Sequence, residues 1–403
     1  MFLRRMGGVG RLFSNPNSAK LYREIVRYLP KERRKEFLRS WVVNNLFRGD
    51  RIRRSFERKM GCTLPALIDI TPTEKCNLNC RGCYALGYSR EREMTTDEVR
   101  LLVSEARSLG IYLIGLLGGE PFARKDLFEV VRDNKDIAFR ISTNGTVMDE
   151  EILNNLKLCG NLVTFFSLEG FEAETDAWRG EGVYDQVLHS MKVLKREHVL
   201  FGFSALLHRE NFGQVVSAKF LDAMRDAGCK FGLFFPYGPA GDNARYDLRL
   251  SEAQIAECFA ELDGRSGDYT MLFIKEGYTA PDKNGRYFAE KGCRAGVTVN
   301  ITPGGNVEPC NGIQFYTENV FEVGLENVFR SRFYKEIFDC VRRHDGRCVS
   351  MFQPMQVLEI IGNNGAKGSY PRSLPTYSNY AHCYPDIPSK NPQRIQTAGE
   401  MGR

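Results

Sequence analysis

A chain of 403 residues that is 42% hydrophobic is long enough for one large α/β domain and a smaller unit, which excludes a disordered or fibrous protein. It has no run of 18 uncharged apolar residues, and its start, Met1-Phe2-Leu3-Arg4-Arg5-Met6-Gly7-Gly8, lacks the apolar stretch of a secretory signal, so a cytoplasmic location is expected. The net charge of +6 is uneven: residues 1–60 hold 17 Lys or Arg against 5 Asp or Glu, a net of +12, and residues 61–403 carry 39 against 45, a net of −6.

The basic leader, residues 1–60, reads as amphipathic helices. Leu21, Ile25, Tyr28 and Leu29, then Phe37, Leu38, Trp41, Val42 and Leu46, recur at helical spacing among arginines and lysines. Two readings stand side by side. The apolar faces pack on the rest of the chain, or the helices lie peripherally on the anionic inner face of a membrane. Nucleic acid is not expected as a partner, because neither a recognition-helix pattern nor an aromatic stacking platform accompanies the charge.

From residue 65 short apolar runs alternate with longer helical patterns, the signature of βαβ units and a parallel sheet. Strands are predicted at Ala66–Thr71, Ile111–Leu117, Ala138–Ser142, Leu162–Ser167, Phe201–Leu207 and Phe231–Phe235. Helices are predicted to start near Thr96, Lys125, Asp149, Tyr184 and Gln214, and a last one follows Ser251, whose spacing to Gln254 fits a capping box. Six units rather than eight predict an α/β fold built as a partial (β/α)6 TIM-like barrel over residues 61–265, with the site on loops after the strand C-terminal ends. Residues 266–290 read as a linker, 291–390 as a small cysteine-bearing region, and 391–403 as a disordered tail. Within that region Val297–Thr302 and Asn306–Cys310 flank Pro303-Gly304-Gly305, which predicts a β-hairpin with Cys293 and Cys310 at one end.

Twelve cysteines in a long chain without a signal read as thiols kept reduced for metal, not as a disulfide framework. Cys76, Cys80 and Cys83 fall in one short loop after the first strand. Three thiolates can hold three irons of a cubic cluster and leave the fourth open to an exogenous ligand that receives an electron. The competing assignment, structural zinc, normally wants four ligands, and only three are local here.

This CxxxCxxC spacing, followed by the aromatic Tyr84, resembles the motif of the radical S-adenosylmethionine (radical SAM) enzymes. Gly118-Gly119-Glu120-Pro121 after the second strand is similar to that family's GGEP segment, which receives the methionine end of the cofactor. Ser142-Thr143-Asn144-Gly145-Thr146, Ser167-Leu168-Glu169-Gly170 and Asp176-Ala177-Trp178-Arg179-Gly180 resemble its later cofactor-contacting stretches, in the family's order over roughly residues 65–240.

The resemblance implies a [4Fe–4S] cluster on Cys76, Cys80 and Cys83 with SAM beside Tyr84. Gly118 and Gly119 would let backbone approach the cofactor. Glu120 would pair with its ammonium, and Arg179 would take its carboxylate as a bidentate fork. Asn144, Ser167 and Glu169 would bond the ribose, and Leu206 and Tyr237 would flank the adenine. Cys293 and the run Gly305-Asn306-Val307-Glu308-Pro309-Cys310 are similar to the start of a SPASM or twitch extension. Its fuller pattern has a dense run of further cysteines. Here only Cys340, Cys348 and Cys383 follow, so one auxiliary [4Fe–4S] cluster is expected on Cys293, Cys310, Cys348 and Cys383, with Cys340 competing for a place. Cys62, Cys159, Cys229 and Cys258 sit singly and read as buried small hydrophobes.

The implied activity is reductive cleavage of SAM to a 5′-deoxyadenosyl radical and hydrogen abstraction from a peptide, a protein or a lipid. A flavodoxin or ferredoxin would serve as electron donor. The alternative is an iron-sulfur electron-transfer or scaffold protein without radical catalysis, which would have no need of the GGEP segment or Arg179. Gly7-Gly8-Val9-Gly10 follows no strand, the five histidines form no i, i+4 pair, and no nucleophile elbow occurs, so dinucleotide, histidine-metal and triad chemistries find no support.

Overall fold

The computed structural model describes residues 16–275, 293, 295, 298–344 and 348–384. Its centre is a curled nine-stranded sheet in the order β7-β6-β5-β4-β3-β2-β1-β8-β9. The strands are β1 (Leu67–Ile70), β2 (Leu113–Leu116), β3 (Ala138–Thr143), β4 (Leu162–Ser167), β5 (Phe201–Leu207), β6 (Phe231–Pro236), β7 (Leu272–Lys275), β8 (Thr298–Ile301) and β9 (Val307–Glu308). β1 to β7 pair in parallel through neighbours, as short strands joined by helical crossovers do. The six expected strands and the partial TIM-like barrel are therefore present.

Capping chemistry sets where the crossover helices begin. Thr95 accepts from the Glu98 backbone while the Glu98 side chain reaches back, and Ser251 and Gln254 make the same reciprocal box before Glu252–Arg265. Asp149 and Ser217 cap Glu150–Leu158 and Ala218–Ala227. One further helix, Glu172–Arg179, stands between β4 and the crossover helix Val183–Arg196.

Two differences from the sequence reading concern the sheet edges. Leu272–Lys275 adds β7 beside β6, inside the expected linker. The predicted hairpin forms, with β8 antiparallel to β9, but β8 also pairs in parallel with β1, Leu67 opposite Thr298. The cysteine-bearing region thus extends the barrel sheet, a long-range pairing that no local pattern encodes. Residues 276–292 and the expected disordered tail, 391–403, lie outside the described residues.

Strand alternation sorts the side chains. Ile68, Ile70, Ile114, Leu116, Phe139, Ile141, Phe166 and Phe203 point outward into the core shared with the helices. Inward, Asp69 and Arg140 form a buried ion pair, Nη2 to Oδ1 2.9 Å. Below it Val163, Phe165, Phe231 and Leu233 form an apolar floor.

The leader helices Pro16–Tyr28, Lys31–Phe37, the π-helical Leu38–Gly49 and Asp50–Met60 close that floor. Leu21, Ile25, Leu29 and Phe37 are buried against it, with Tyr28, Leu38 and Trp41 alongside. Trp41 Nε1 donates to Asn161 O, Asn44 Nδ2 to Asp136 O, Arg53 Nη1 to Gly110 O and Arg33 Nη2 to Glu197 O, all carbonyls on segments that enter strands. The leader therefore caps the end of the barrel opposite the strand C-terminal loops, with its apolar face inward, the first of the two readings above. Val43 and Phe47 stay exposed. Among the described residues no helix is long and apolar enough to cross a membrane.

Candidate functional site

The loops after β1 to β6 surround a cavity of about 310 Å³. Cys76, Cys80 and Cys83 line it from the β1 loop, and Cys310 and Cys348 line it from the C-terminal region. Tyr84, Gly118, Gly119, Asn144, Ser167, Glu169, Arg179, Leu206 and Tyr237 line it too, so these sequence-selected residues share one space, whereas Glu120, Cys293 and Cys383 are not among its lining residues.

The cysteine loop is held by the glycine pair. Gly119 N donates to Thr73 O and Glu120 N to Lys75 O, both at 2.9 Å. A Cβ at Gly118 would stand 2.1 Å from Thr73 O, and one at Gly119 2.1 Å from Lys75 O. The close approach that demands glycine is thus to the cysteine loop, a role the sequence reading gave to the cofactor.

Glu120 is similarly occupied. Its Oε1 accepts from Phe122 N at 2.9 Å and Thr143 Oγ1 at 2.7 Å, and its Oε2 from Asn144 N at 2.8 Å. Burial raises its pKa, and these three donors offset part of the rise. It fixes the β3 loop, and through it Asn144, whose Nδ2 lies 3.7 Å from Cys76 Sγ.

Arg179 gives Nε and Nη2 to Glu169, each at 2.6 Å, and turns Nη1 toward Cys80 Sγ at 3.9 Å. The fork expected to grip a carboxylate of the cofactor is therefore engaged by Glu169, and only Nη1 faces the thiol. Burial pushes the Cys80 thiol up to about 11 and the Arg179 cation opposes it. Burial likewise raises Cys83.

Ser167 Oγ accepts from Ser204 Oγ at 3.4 Å, leaving both hydroxyls on the cavity wall. Leu206 and Tyr237 pack with Trp178 and Leu248, and Tyr237 OH accepts from Arg245 N at 2.9 Å. Trp178 stacks on His208 at 4.6 Å.

In the C-terminal region Cys293, Cys310 and Cys340 are buried in one cluster with Cys348 against it. Val349 N donates to Cys293 Sγ at 3.4 Å, and Cys293 and Cys348 hydrogen-bond, which lowers the Cys348 thiol and raises that of Cys293. Cys383 departs from the expected ligand set. It ends the helix Ser373–Cys383, is exposed, and lies outside this cluster, whereas Cys340 is 0% exposed within it. The helix Arg332–Arg343 places Cys340 on its buried face, and sequence spacing alone does not reveal which of two late cysteines faces inward.

Among the polar cavity residues that the sequence reading did not select are Glu74, Arg90, Arg140 and Ser204. Arg140 had a signal, because a charge inside the strand Ala138–Thr143 matches another, Asp69, inside β1. Glu74 precedes Cys76 by two positions, but only the fold shows that it is buried and faces inward. Burial and the nearby Glu308 hold its carboxyl well above the usual range, against Arg90.

Three thiols on one cavity wall, Cys76, Cys80 and Cys83, are the donor type that holds three corners of a cubic cluster.

Residues 70–229 match the model of the Radical SAM superfamily, whose members use a [4Fe–4S] cluster and SAM. The chain is 28% identical to the AdoMet-dependent heme synthase of Methanosarcina barkeri, over 70% of this chain and 87% of that protein. It is 29% identical to the PqqA peptide cyclase of Bradyrhizobium diazoefficiens, over 67% and 72% respectively. Streptococcus suis SuiB, solved with S-adenosylmethionine bound, superposes with a TM-score of 0.61 at 15% identity over 74% of this chain and 72% of SuiB, and shares the fold.

Proposed function

We propose that this chain is an enzyme that cleaves SAM reductively and removes a hydrogen atom from a peptide or protein. The observation that supports it most is the one cavity whose wall carries Cys76, Cys80 and Cys83 and also Cys310 and Cys348. When bound, the cluster and SAM supply one-electron cleavage of a sulfonium C–S bond and a radical able to take hydrogen from carbon.

The remaining roles fall to the chain itself. Cys76, Cys80 and Cys83 would hold three irons. Asn144, Ser167 and Ser204 present an amide and two hydroxyls at neighbouring strand ends, suited to ribose. Leu206 and Tyr237 offer an apolar wall for adenine. Arg179, fixed by Glu169, keeps a cation beside Cys80. Cys293, Cys310 and Cys348 would hold the auxiliary cluster, with Cys340 as the fourth ligand in place of Cys383. A flavodoxin or ferredoxin would deliver the electron. The similarity to a peptide cyclase supports a peptide substrate over a lipid one.

The test is isotopic. The anaerobically reconstituted protein, with SAM and dithionite, is given peptide and lipid fractions from perdeuterated cells. Deuterium should enter 5′-deoxyadenosine from the peptide fraction; entry from the lipid fraction alone would overturn the peptide assignment.

A further inference from the structure

Glu74 is a carboxylate with no evident structural partner. It is 2% exposed, it lines the cavity, and among the described residues neither of its oxygens has a hydrogen-bond donor. A buried carboxyl group without a donor is costly, and a ligand that brings N–H donors to it would relieve that cost.

Its surroundings contrast with it. Glu308, the other buried carboxylate nearby, is satisfied: Oε1 accepts from Tyr88 OH at 2.5 Å and Oε2 from Asn300 Nδ2 at 2.7 Å. Arg90 lines the same wall but is exposed and makes no ion pair with Glu74 among the described residues. The preceding turn is otherwise fixed, since Thr73 O and Lys75 O accept from Gly119 N and Glu120 N on either side of Glu74. The side chain is thereby held at the cavity wall, close to Cys83 and Tyr84.

Building on the peptide reading above, we propose that Glu74 is a recognition residue that takes a cationic side chain of the substrate, an ammonium or a guanidinium. Of the two acids on the cavity wall, Glu169 is paired with Arg179, whereas Glu74 has no donor among the described residues and Arg90 near it is exposed. A lysine or arginine of the substrate would supply both the missing charge and N–H donors to Oε1 and Oε2, as charge-assisted hydrogen bonds do. A substrate so anchored would be oriented beside the loop that carries Cys76, Cys80 and Cys83.

The experiment uses the full-length reconstituted protein with three probes, acetyl-Gly-Lys-Gly-amide, acetyl-Gly-Arg-Gly-amide and the uncharged acetyl-Gly-norleucine-Gly-amide. Binding is measured by saturation-transfer NMR for wild type, Glu74→Gln and Glu74→Asp. SAM affinity and uncoupled 5′-deoxyadenosine formation are measured on the same preparations. The lysine or arginine probe should bind wild type at least tenfold more tightly than the norleucine probe, the preference should vanish in Glu74→Gln and persist in part in Glu74→Asp, and SAM affinity should stay unchanged. Equal binding of charged and uncharged probes, or a preference that survives Glu74→Gln, would overturn the proposal while 5′-deoxyadenosine formation left the radical SAM reading standing. A loss of SAM affinity in Glu74→Gln would overturn it too, by assigning the carboxylate to the cofactor. No 5′-deoxyadenosine from wild type would remove both readings together.

Discussion

Arg179 and Glu169 form a two-point pair, Nε to Oε2 and Nη2 to Oε1, both at 2.6 Å, with Glu169 fully buried. Lysine has no planar fork, so Arg179→Lys should leave one carboxylate oxygen unbonded. Removing one partner of a buried pair costs about 3–5 kcal/mol. Arg179→Lys and Glu169→Gln should each lower unfolding stability by part or all of that in urea titrations. The double variant should cost less than the sum of the two, because the interaction is lost only once.

The glycine pair gives a test that separates cluster assembly from folding. A methyl at Gly119 would meet Lys75 O at 2.1 Å, so Gly119→Ala must push the cysteine loop away. Overpacking of this kind costs about 1–3 kcal/mol. Iron content and the 400 nm absorbance of reconstituted Gly119→Ala should fall well below wild type while the far-ultraviolet circular dichroism stays native. Gly213→Ala, where a Cβ meets nothing within 4 Å, is the control that should retain its iron.

The leader should behave as part of the barrel. Ile25 is 3% exposed over the floor formed by Val163, Phe165 and Phe231, and Ile25→Ala should cost about 2–5 kcal/mol. Val43 is 54% exposed, and Val43→Ala should stay within about 0.5 kcal/mol. Comparable losses from both variants would mean that the leader is not seated as described.

His208 should make stability pH-dependent. Burial lowers its pKa from 6.5 to about 4, with Glu210 opposing. Its ring stacks on Trp178, and Nδ1 accepts from Glu210 N at 3.2 Å. Between those two values the unfolded chain binds the proton that the folded chain refuses. The stability it contributes is therefore whole above about pH 6.5 and falls as the pH drops toward 4, by on the order of 2 kcal/mol. Unfolding titrations at pH 5 and 7.5 should show a smaller difference for His208→Phe, which keeps an aromatic ring against Trp178.

Local chemistry made much of this molecule legible in the sequence. β4, Leu162–Ser167, and β5, Phe201–Leu207, have the bounds predicted from the sequence. Ser251 caps its helix through the expected box with Gln254. What escaped depends on distant neighbours. Leu272–Lys275 is too short to read as a strand without β6 beside it, and β8 joins β1 across more than 200 residues. At the site, the residue types were readable but their partners were not. The Arg179 fork is taken by Glu169, and Cys340 is buried within its helix whereas Cys383 is exposed at the end of another.

The proposal rests on three thiolates that leave one iron open, and the electron paramagnetic resonance of the reduced, reconstituted protein reports on that iron. Adding SAM should change the spectrum and yield 5′-deoxyadenosine with methionine, and Cys80→Ala should abolish both. A reduced cluster whose spectrum is the same with and without SAM, or product that persists in Cys80→Ala, would show that this loop does not present an open iron to the cofactor.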